Sequence, residues 1–400
     1  MEDGFTLGVN YWPIESAMSW WHRFDPGVVG EDFSRIGEVG LKAVRIFLLW
    51  EDFQPDPKKV RSDRLKELIR VMDLAHERGL RVLLTLFTGH MSGMNYLPPW
   101  MVEVKEEPES RFYVYSGGRR RKNKIRNFYA DREAREAQKF LLREVAGALQ
   151  GHPGIWAWDL GNEPSNVTQP PTRSDALVWL EEMVSELKKR DESIPVTLGL
   201  HQEDLEEDRR MGPAEVARFC DFLSIHAYSI YARWAEGRLD EAVVPFLGLL
   251  TRWLGGKEVL IEEVGLATSN AVRGEWIVTE DDGFDYYKRL LENVGTSGFL
   301  GILFWCYGDY GEALWNIPPF DEKIHERYFG LFRKDRSPKA YVKLLKEFQV
   351  EPDRRRPVLS SWIDIEPQEY YRNPMAHLER LFGRFKGQGR SHEPVVPNGR

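Results

Sequence analysis

Cysteine is almost absent from the sequence, whose 400 residues include only Cys220 and Cys306. Both lie within apolar stretches, and neither belongs to a group of residues with the spacing of metal ligands. The sequence therefore argues against a disulfide framework and against a cysteine zinc site. We expect two buried thiols instead.

Basic residues are outnumbered, and long hydrophobic runs are missing. The 55 lysines and arginines against 63 aspartates and glutamates give a net charge of -8, whereas nucleic acid or an anionic membrane favours a basic excess. No run approaches the roughly 18 apolar residues of a membrane helix, and the first residues do not resemble an export signal. We predict a cytoplasmic protein without nucleic-acid or membrane partners. The oligomeric state is left open.

A glycine-rich phosphate turn is also missing after the first apolar run, where residues 8–13 read Gly-Val-Asn-Tyr-Trp-Pro. An open, doubly wound sheet that binds dinucleotides carries such a turn after its first strand. No metal-ligand cluster or cofactor fingerprint is visible elsewhere in the sequence. We therefore expect neither a cofactor nor a metal.

The sequence does contain a regular alternation of apolar, β-branched runs with amphipathic segments, which is typical of parallel strands covered by helices. Eight such strands are predicted, and eight strands with helical returns indicate an α/β fold of the (β/α)8 TIM-barrel type. The predicted strands are Thr6–Asn10, Ala43–Leu49, Val82–Phe87, Ile155–Leu160, Val196–Leu200, Phe222–His226, Val259–Glu262 and Leu300–Trp305.

The barrel is predicted to occupy residues 1–350 as a single domain, with residues 351–400 as a short C-terminal extension. Asp131 is expected to begin one barrel helix, and Ser337 with Pro338 to begin the last one. Within the extension, an apolar stripe predicts one helix resting on the barrel, and the Gly/Pro-rich residues after Lys386 are expected to be disordered. The stripe consists of Leu378, Leu381, Phe382 and Phe385.

Two glutamates stand where predicted strands end. Glu163 follows the fourth strand and Glu263 the seventh, and the C-terminal ends of barrel strands carry the active site. Glycoside hydrolysis uses two facing carboxyl groups, one to protonate the leaving oxygen and one to attack the sugar or activate water. The residues alone thus predict an acid/base pair at the mouth of the barrel. They do not give the distance between the two carboxyl groups, which decides whether the sugar configuration is retained or inverted.

Asn162-Glu163-Pro164 after strand four, together with Glu263-Val264-Gly265 after strand seven, resembles the retaining glycoside hydrolases of clan A, most closely family 5. This resemblance covers about 350 residues. It implies that Glu163 is the general acid/base, that Glu263 is the nucleophile and that Asn162 hydrogen-bonds the sugar 2-hydroxyl. The Glu-x-Gly pattern favours Glu263 over its neighbour Glu262.

The same resemblance implies further substrate-binding residues. Arg45 in strand two would brace the nucleophile, His226 and Tyr228 share a face of strand six, and Trp305 would form the floor of the sugar site. His90 departs from the family pattern, because the histidine usually follows strand three directly and here comes later.

The two carboxyl groups are expected to differ in pKa. Glu263 beside Arg45 should stay ionised, whereas its negative charge and a partly apolar site should raise the pKa of Glu163.

The expected partner is an oligosaccharide or β-glycoside. Residues 8–13 and 44–50 are similar to bacterial members that cleave β-mannosides, so an exo-acting β-mannosidase is the leading interpretation. An endo-mannanase, a cellulase or β-glucosidase, a transglycosidase and, least favoured, a non-catalytic sugar-binding barrel remain alternatives.

Two features are left open. The basic run Arg119–Arg126 is a solvated loop or, with neighbouring aromatic residues such as Phe112, part of a glycan subsite. Trp12, Trp50 and Trp100 lie near strand ends and either stack on sugar or pack against helices.

Overall fold

The computed structural model describes residues 4–104, 111–350 and 361–390. Eight parallel strands pair in chain order, and the last pairs with the first to close a barrel. They are β1 (Thr6–Asn10), β2 (Ala43–Leu49), β3 (Arg81–Thr88), β4 (Ile155–Asn162), β5 (Val196–His201), β6 (Leu223–His226), β7 (Val259–Val264) and β8 (Gly301–Phe304). The predicted (β/α)8 fold is confirmed.

The strand bounds agree with the prediction to within two residues. Every residue of β2 and of β7 is buried, because these strands face side chains inside the barrel and helices outside it. This double burial explains why they read as continuous apolar runs.

The helices that cover the barrel begin where the sequence offers caps. Asp131 accepts a hydrogen bond from the backbone of Ala134, and Thr172 and Thr279 form capping boxes. The longer helices are α1 (Pro26–Glu38), α2 (Ser62–His76), α3 (Arg132–Ala148), α4 (Arg173–Lys188), α5 (Val243–Gly255), α6 (Glu280–Gly295), α7 (Val342–Glu347) and α8 (Pro374–Arg390). Short helical turns include Trp50–Phe53, Pro164–Val167, Glu203–Glu206, Pro213–Val216 and Pro367–Tyr370.

The last barrel helix begins at Val342, so the prediction that Ser337 and Pro338 begin it is wrong. Lys339, which lies between Pro338 and the start of this helix, is buried. Its ammonium group donates to Asp309 Oδ1 at 2.8 Å and to the carbonyl oxygen of Tyr328 at 2.9 Å. These long-range bonds hold the segment outside a helix.

The loop after β3 carries four short strands that form a small separate sheet. The strands are His90–Met91, Met94–Tyr96, Val114–Ser116 and Arg119–Arg121. The first residues of the basic run therefore form an edge strand of this small sheet. Arg120 forms 2.6 Å ion pairs with Asp321 and Glu322 in the loop after β8.

Residues 361–390 pack on the outside of the barrel. Leu378, Leu381 and Phe382 are the buried face of α8, which contacts α5 and the turn Glu203–Glu206. The helix continues to Arg390, and the rest of the predicted disordered tail lies outside the described residues.

Both cysteines are buried and free. Among the described residues, no helix combines the length and apolar character needed to cross a membrane.

Candidate active site

A cavity of about 600 Å³ opens at the C-terminal ends of the strands. Glu163, Glu263 and Trp305 line it, together with Asn162 and Tyr228. The strands therefore bring most of the predicted site residues to one place, which is where barrels of this fold carry their active sites.

Arg45 lies fully buried beneath the cavity and connects three strands. Its guanidinium donates to Glu263 Oε1 at 2.6 Å, to Asp159 Oδ2 at 2.7 Å and to Asn162 Oδ1 at 2.9 Å. Burial would lower the pKa of Arg45, but the charges of Glu262, Asp159 and Glu263 raise it above its ordinary value. The arginine therefore stays charged and fixes the side chains of Glu263 and Asn162, which line the cavity.

Glu263 accepts a second hydrogen bond from the hydroxyl of Tyr228 at 2.7 Å. Its carboxylate is thus held through one oxygen by Arg45 and through the other by Tyr228. Burial raises the pKa of Glu263 above its ordinary value, although His226 and Arg45 act in the opposite direction.

The neighbouring Glu262 points elsewhere. Its side chain is fully buried and does not border the cavity. Its Oε2 atom lies 2.9 Å from Nε2 of His226. An irregular register between β6 and β7, where His226 pairs with Glu263, lets two successive glutamates turn inward. Glu263 is therefore the one that faces the cavity.

Glu163 occupies a strained position at the end of β4. Its backbone is left-handed, with φ of 47°, immediately before the short helix that Pro164 begins. Such a conformation costs free energy in a non-glycine residue and is often found at functional sites. Here it turns the Glu163 side chain towards the cavity, where Asn166 donates to Oε2 at 2.9 Å.

Three imidazoles surround the Glu163 carboxylate. His226 Nδ1 lies 2.8 Å away, and the Nε2 atoms of His90 and His201 each lie 3.8 Å away. Burial raises the pKa of Glu163, yet the charge of His201 and the hydrogen bond and charge of His226 outweigh burial and lower the pKa below its ordinary value.

The expectation of a raised pKa for Glu163 is therefore wrong for this arrangement of side chains. Burial acts in the expected direction, but histidines from other segments oppose it. The proton is held instead on His226, because Glu263, Glu163 and Glu262 overcome its burial and raise its pKa to about 10.

His90 reaches the cavity despite its displacement from β3. It lies in the first strand of the small sheet, and its Nδ1 atom lies 2.8 Å from Asn95 Oδ1. Asn162 donates to the carbonyl oxygen of His90 at 2.8 Å. Burial lowers the pKa of His90 to about 4, so its ring is neutral near pH 7.

The other candidate tryptophans pack inside the protein. Trp12 stacks on Phe47 at 4.9 Å, and Trp50 contacts Trp100 edge-on at 5.3 Å. None of these tryptophans borders the cavity, whereas Trp305 does. Of the predicted basic loop and its aromatic neighbours, Phe112 lines the cavity and Arg119–Arg126 do not.

The chain resembles known glycosidases in part of its sequence and in its fold. The model of glycoside hydrolase family 42, described as a beta-galactosidase, matches residues 19–176. A comparison with curated protein sequences found no match.

Two solved structures illustrate the likeness in fold. A GH5_18 protein from Streptomyces cattleya has a TM-score of 0.77 and 22% identity, covering 96% of this chain and 92% of that one. The exo-beta-1,4-mannosidase Op5Man5 from Opitutaceae bacterium strain TAV5 has a TM-score of 0.71 and 22% identity, over 86% of this chain and 59% of that protein. In this partial sequence match and in its fold, the chain is similar to the glycoside hydrolases of clan A.

Several residues around the cavity were not predicted. His201 ends β5, so the rule that led to Glu163 could have found it. Glu326 is buried in the loop after β8, where Tyr231 donates to it at 3.1 Å and Ser92 at 3.0 Å. No local sequence signal marks Glu326, because only the folded loop brings it to the cavity.

One group of side chains in the described part of the chain has the geometry of a cation site. Glu163, His226 and Glu263 offer ligand atoms within 4.8 Å of one another. Both ring nitrogens of His226 already lie within hydrogen-bond distance of carboxylates, and a protonated imidazole cannot bind a metal. The expectation that the enzyme needs no metal stays a prediction.

Proposed function

We propose that the chain is a retaining β-glycosidase in which Glu163 is the general acid/base and Glu263 the nucleophile. The observation that carries this proposal is the separation of the pair, since one oxygen of Glu163 lies within 4.8 Å of one of Glu263. Retaining enzymes hold the two carboxyl groups about 5 Å apart, whereas inverting enzymes leave about 6.5 Å or more for a water. The short separation supports double displacement.

The surroundings of Glu263 suit a nucleophile. The hydrogen bonds from Arg45 and Tyr228 favour its ionised form and orient the carboxylate towards the cavity. In the first step, an oxygen of Glu263 attacks the anomeric carbon, and the bond to the leaving oxygen breaks as that oxygen takes a proton from Glu163.

The proton for this step is available from His226. The imidazolium can pass it to Glu163 across their 2.8 Å hydrogen bond, which leaves a neutral histidine beside a protonated carboxyl group. After the leaving group has departed, Glu163 is a carboxylate again. It can then remove a proton from the water that hydrolyses the glycosyl-enzyme.

The proposed substrates are short β-mannosides cleaved from one end. The Opitutaceae protein of similar fold is named an exo-beta-1,4-mannosidase, and a second Streptomyces cattleya GH5_18 structure is a complex with Manb1-4GlcNAc. A cavity of about 600 Å³ is within the usual size of small-ligand sites. These observations support an oligosaccharide of a few units rather than a long polysaccharide.

The test compares 4-nitrophenyl β-mannoside, β-glucoside and β-galactoside with manno-oligosaccharides and Manβ1-4GlcNAc. The galactoside is included because the partial family match is described as a beta-galactosidase. We expect the highest kcat/KM on the mannosides, and proton NMR should detect the β anomer of the released sugar first. An α anomer formed first would overturn the retaining mechanism, and a preference for another sugar would overturn the substrate.

A further inference from the structure

The C-terminal extension, residues 361–390, is connected to two loops that line the cavity. The hydroxyl of Tyr370 donates to the carbonyl oxygen of Leu205 at 2.7 Å, and that of Tyr371 to the carbonyl oxygen of Asp204 at 2.9 Å. Both acceptors lie in the turn Glu203–Glu206 after β5, whose Glu203 and Glu206 border the cavity.

The second loop, between β6 and α5, is held by α8. Lys386 forms ion pairs with Glu236 at 2.7 Å and Asp240 at 2.9 Å. Phe382 packs edge-on against the ring of Trp234 at 4.9 Å. Trp234 is half-buried and lines the cavity, so the extension supports an aromatic wall of the site from behind.

The orientation of Trp234 is fixed from two sides. Its indole N–H donates to Glu206 Oε1 at 2.8 Å, while Phe382 packs against its ring. Met375, at the start of α8, borders the same cavity and is 37% exposed. The extension thus contributes one side chain directly and positions another.

This wall is connected to Glu163 through His201 and the turn after β5. His201 is 3.8 Å from Glu163 and 3.6 Å from Glu203, and the turn that Glu203 begins leads to Glu206 and Trp234. A general acid protonates the leaving oxygen, so the leaving sugar must lie on the side of that acid.

We propose that the C-terminal extension builds the leaving-group subsite, with the face of Trp234 as its sugar platform and Phe382 as a positioning residue behind it. The ligand is the neutral sugar ring that is released on the reducing side of the cleaved bond. An amphipathic pyranose face matches an indole held at a fixed angle. This inference rests on the proposed function, because it takes Glu163 as the general acid.

The test uses two substrates with the same glycone, a disaccharide and the β-glycosyl fluoride, whose fluoride leaving group needs no sugar subsite. For Trp234→Ala we expect the loss of kcat/KM on the disaccharide to exceed the loss on the fluoride by about tenfold. Phe382→Leu keeps an apolar side chain but removes the ring contact. For this variant, the loss of kcat/KM on the disaccharide should exceed the loss on the fluoride by about threefold, mainly through a higher KM for the disaccharide.

Phe385→Leu is the matched control. It removes an aromatic ring from the same helix, and this ring contacts Phe246 and Trp362. The kcat/KM on the disaccharide relative to that on the fluoride should therefore stay at the wild-type value, and so should the ratio of the two KM values. Equal losses on both substrates for Trp234→Ala, or an unchanged disaccharide rate, would overturn the inference. A wild-type enzyme inactive on both substrates would instead overturn the proposed function, and with it this subsite.

Discussion

His226 donates through Nδ1 to Oε1 of Glu163 at 2.8 Å, and burial removes this contact from solvent. Its other nitrogen lies 2.9 Å from Glu262. The histidine is thus a cation shared by two carboxylates, with its pKa raised to about 10. This relationship gives the site a stored proton next to the proposed general acid.

Replacement of His226 by glutamine should move the alkaline limb of the pH profile to lower pH. A group with a raised pKa loses its proton only as the pH rises through that value. The wild-type pair of His226 and Glu163 therefore keeps its shared proton well above neutrality. Without the imidazolium, the proton is held by Glu163 alone. We expect the alkaline pKa of kcat/KM to fall by about one unit or more. An unchanged alkaline limb would contradict the role of His226.

Glu262→Gln and Glu263→Gln should differ strongly although the residues are adjacent. Glu263→Gln removes the proposed nucleophile, so kcat should fall by about a thousandfold or more. Glu262→Gln weakens the support of His226 and removes a charge beside Arg45, but it leaves the nucleophile in place, so we expect a loss of about tenfold together with an altered pH profile. Steady-state kinetics on an aryl glycoside checks both values. A greater loss for Glu262→Gln would reverse the assignment of the nucleophile.

Arg45→Met should destabilise the protein as well as inactivate it. The change leaves Asp159 and Glu263 buried without the cation that bonds them, and breaking a buried ion pair in this way costs about 3–5 kcal/mol. The free energy of unfolding in urea measures the effect. Arg70→Met serves as the control, because it removes an arginine of α2 whose ion pair with Glu77 is exposed and should contribute little to stability. An unchanged stability of Arg45→Met would contradict this account of the charge cluster.

Lys339→Met should also lower stability by about 3–5 kcal/mol, because it leaves Asp309 buried without its ammonium partner. Adding Asp309→Asn removes that uncompensated charge and should restore part of the loss. Urea unfolding of the two single variants and the double variant gives the coupling energy. Additive losses would show that the pair does not interact as described.

The barrel and its carboxylate pair could be predicted because their signals are local. Strands such as β2 and β7 are buried on both faces and therefore appear as unbroken apolar runs. Glu163 and Glu263 stand directly at the ends of such runs, where the fold places them on one rim.

The remaining features depend on contacts between distant segments. The direction of the Glu163 pKa follows mainly from His201 and His226, which come from two separate segments. The late start of α7 follows from the buried contacts of Lys339. Such contacts have no periodicity along the chain, so neither feature could be predicted from local sequence.

Azide rescue of Glu163→Ala and Glu263→Ala tests the central claim most directly, because it reports the role of each carboxylate as a product configuration. On an activated aryl β-glycoside, we expect each variant to lose about a hundredfold or more of its activity and to regain part of it in azide. Glu163→Ala should yield the β-glycosyl azide with retained configuration, and Glu263→Ala the inverted α-glycosyl azide. The opposite pair of products, or full activity of either variant without azide, would contradict the account.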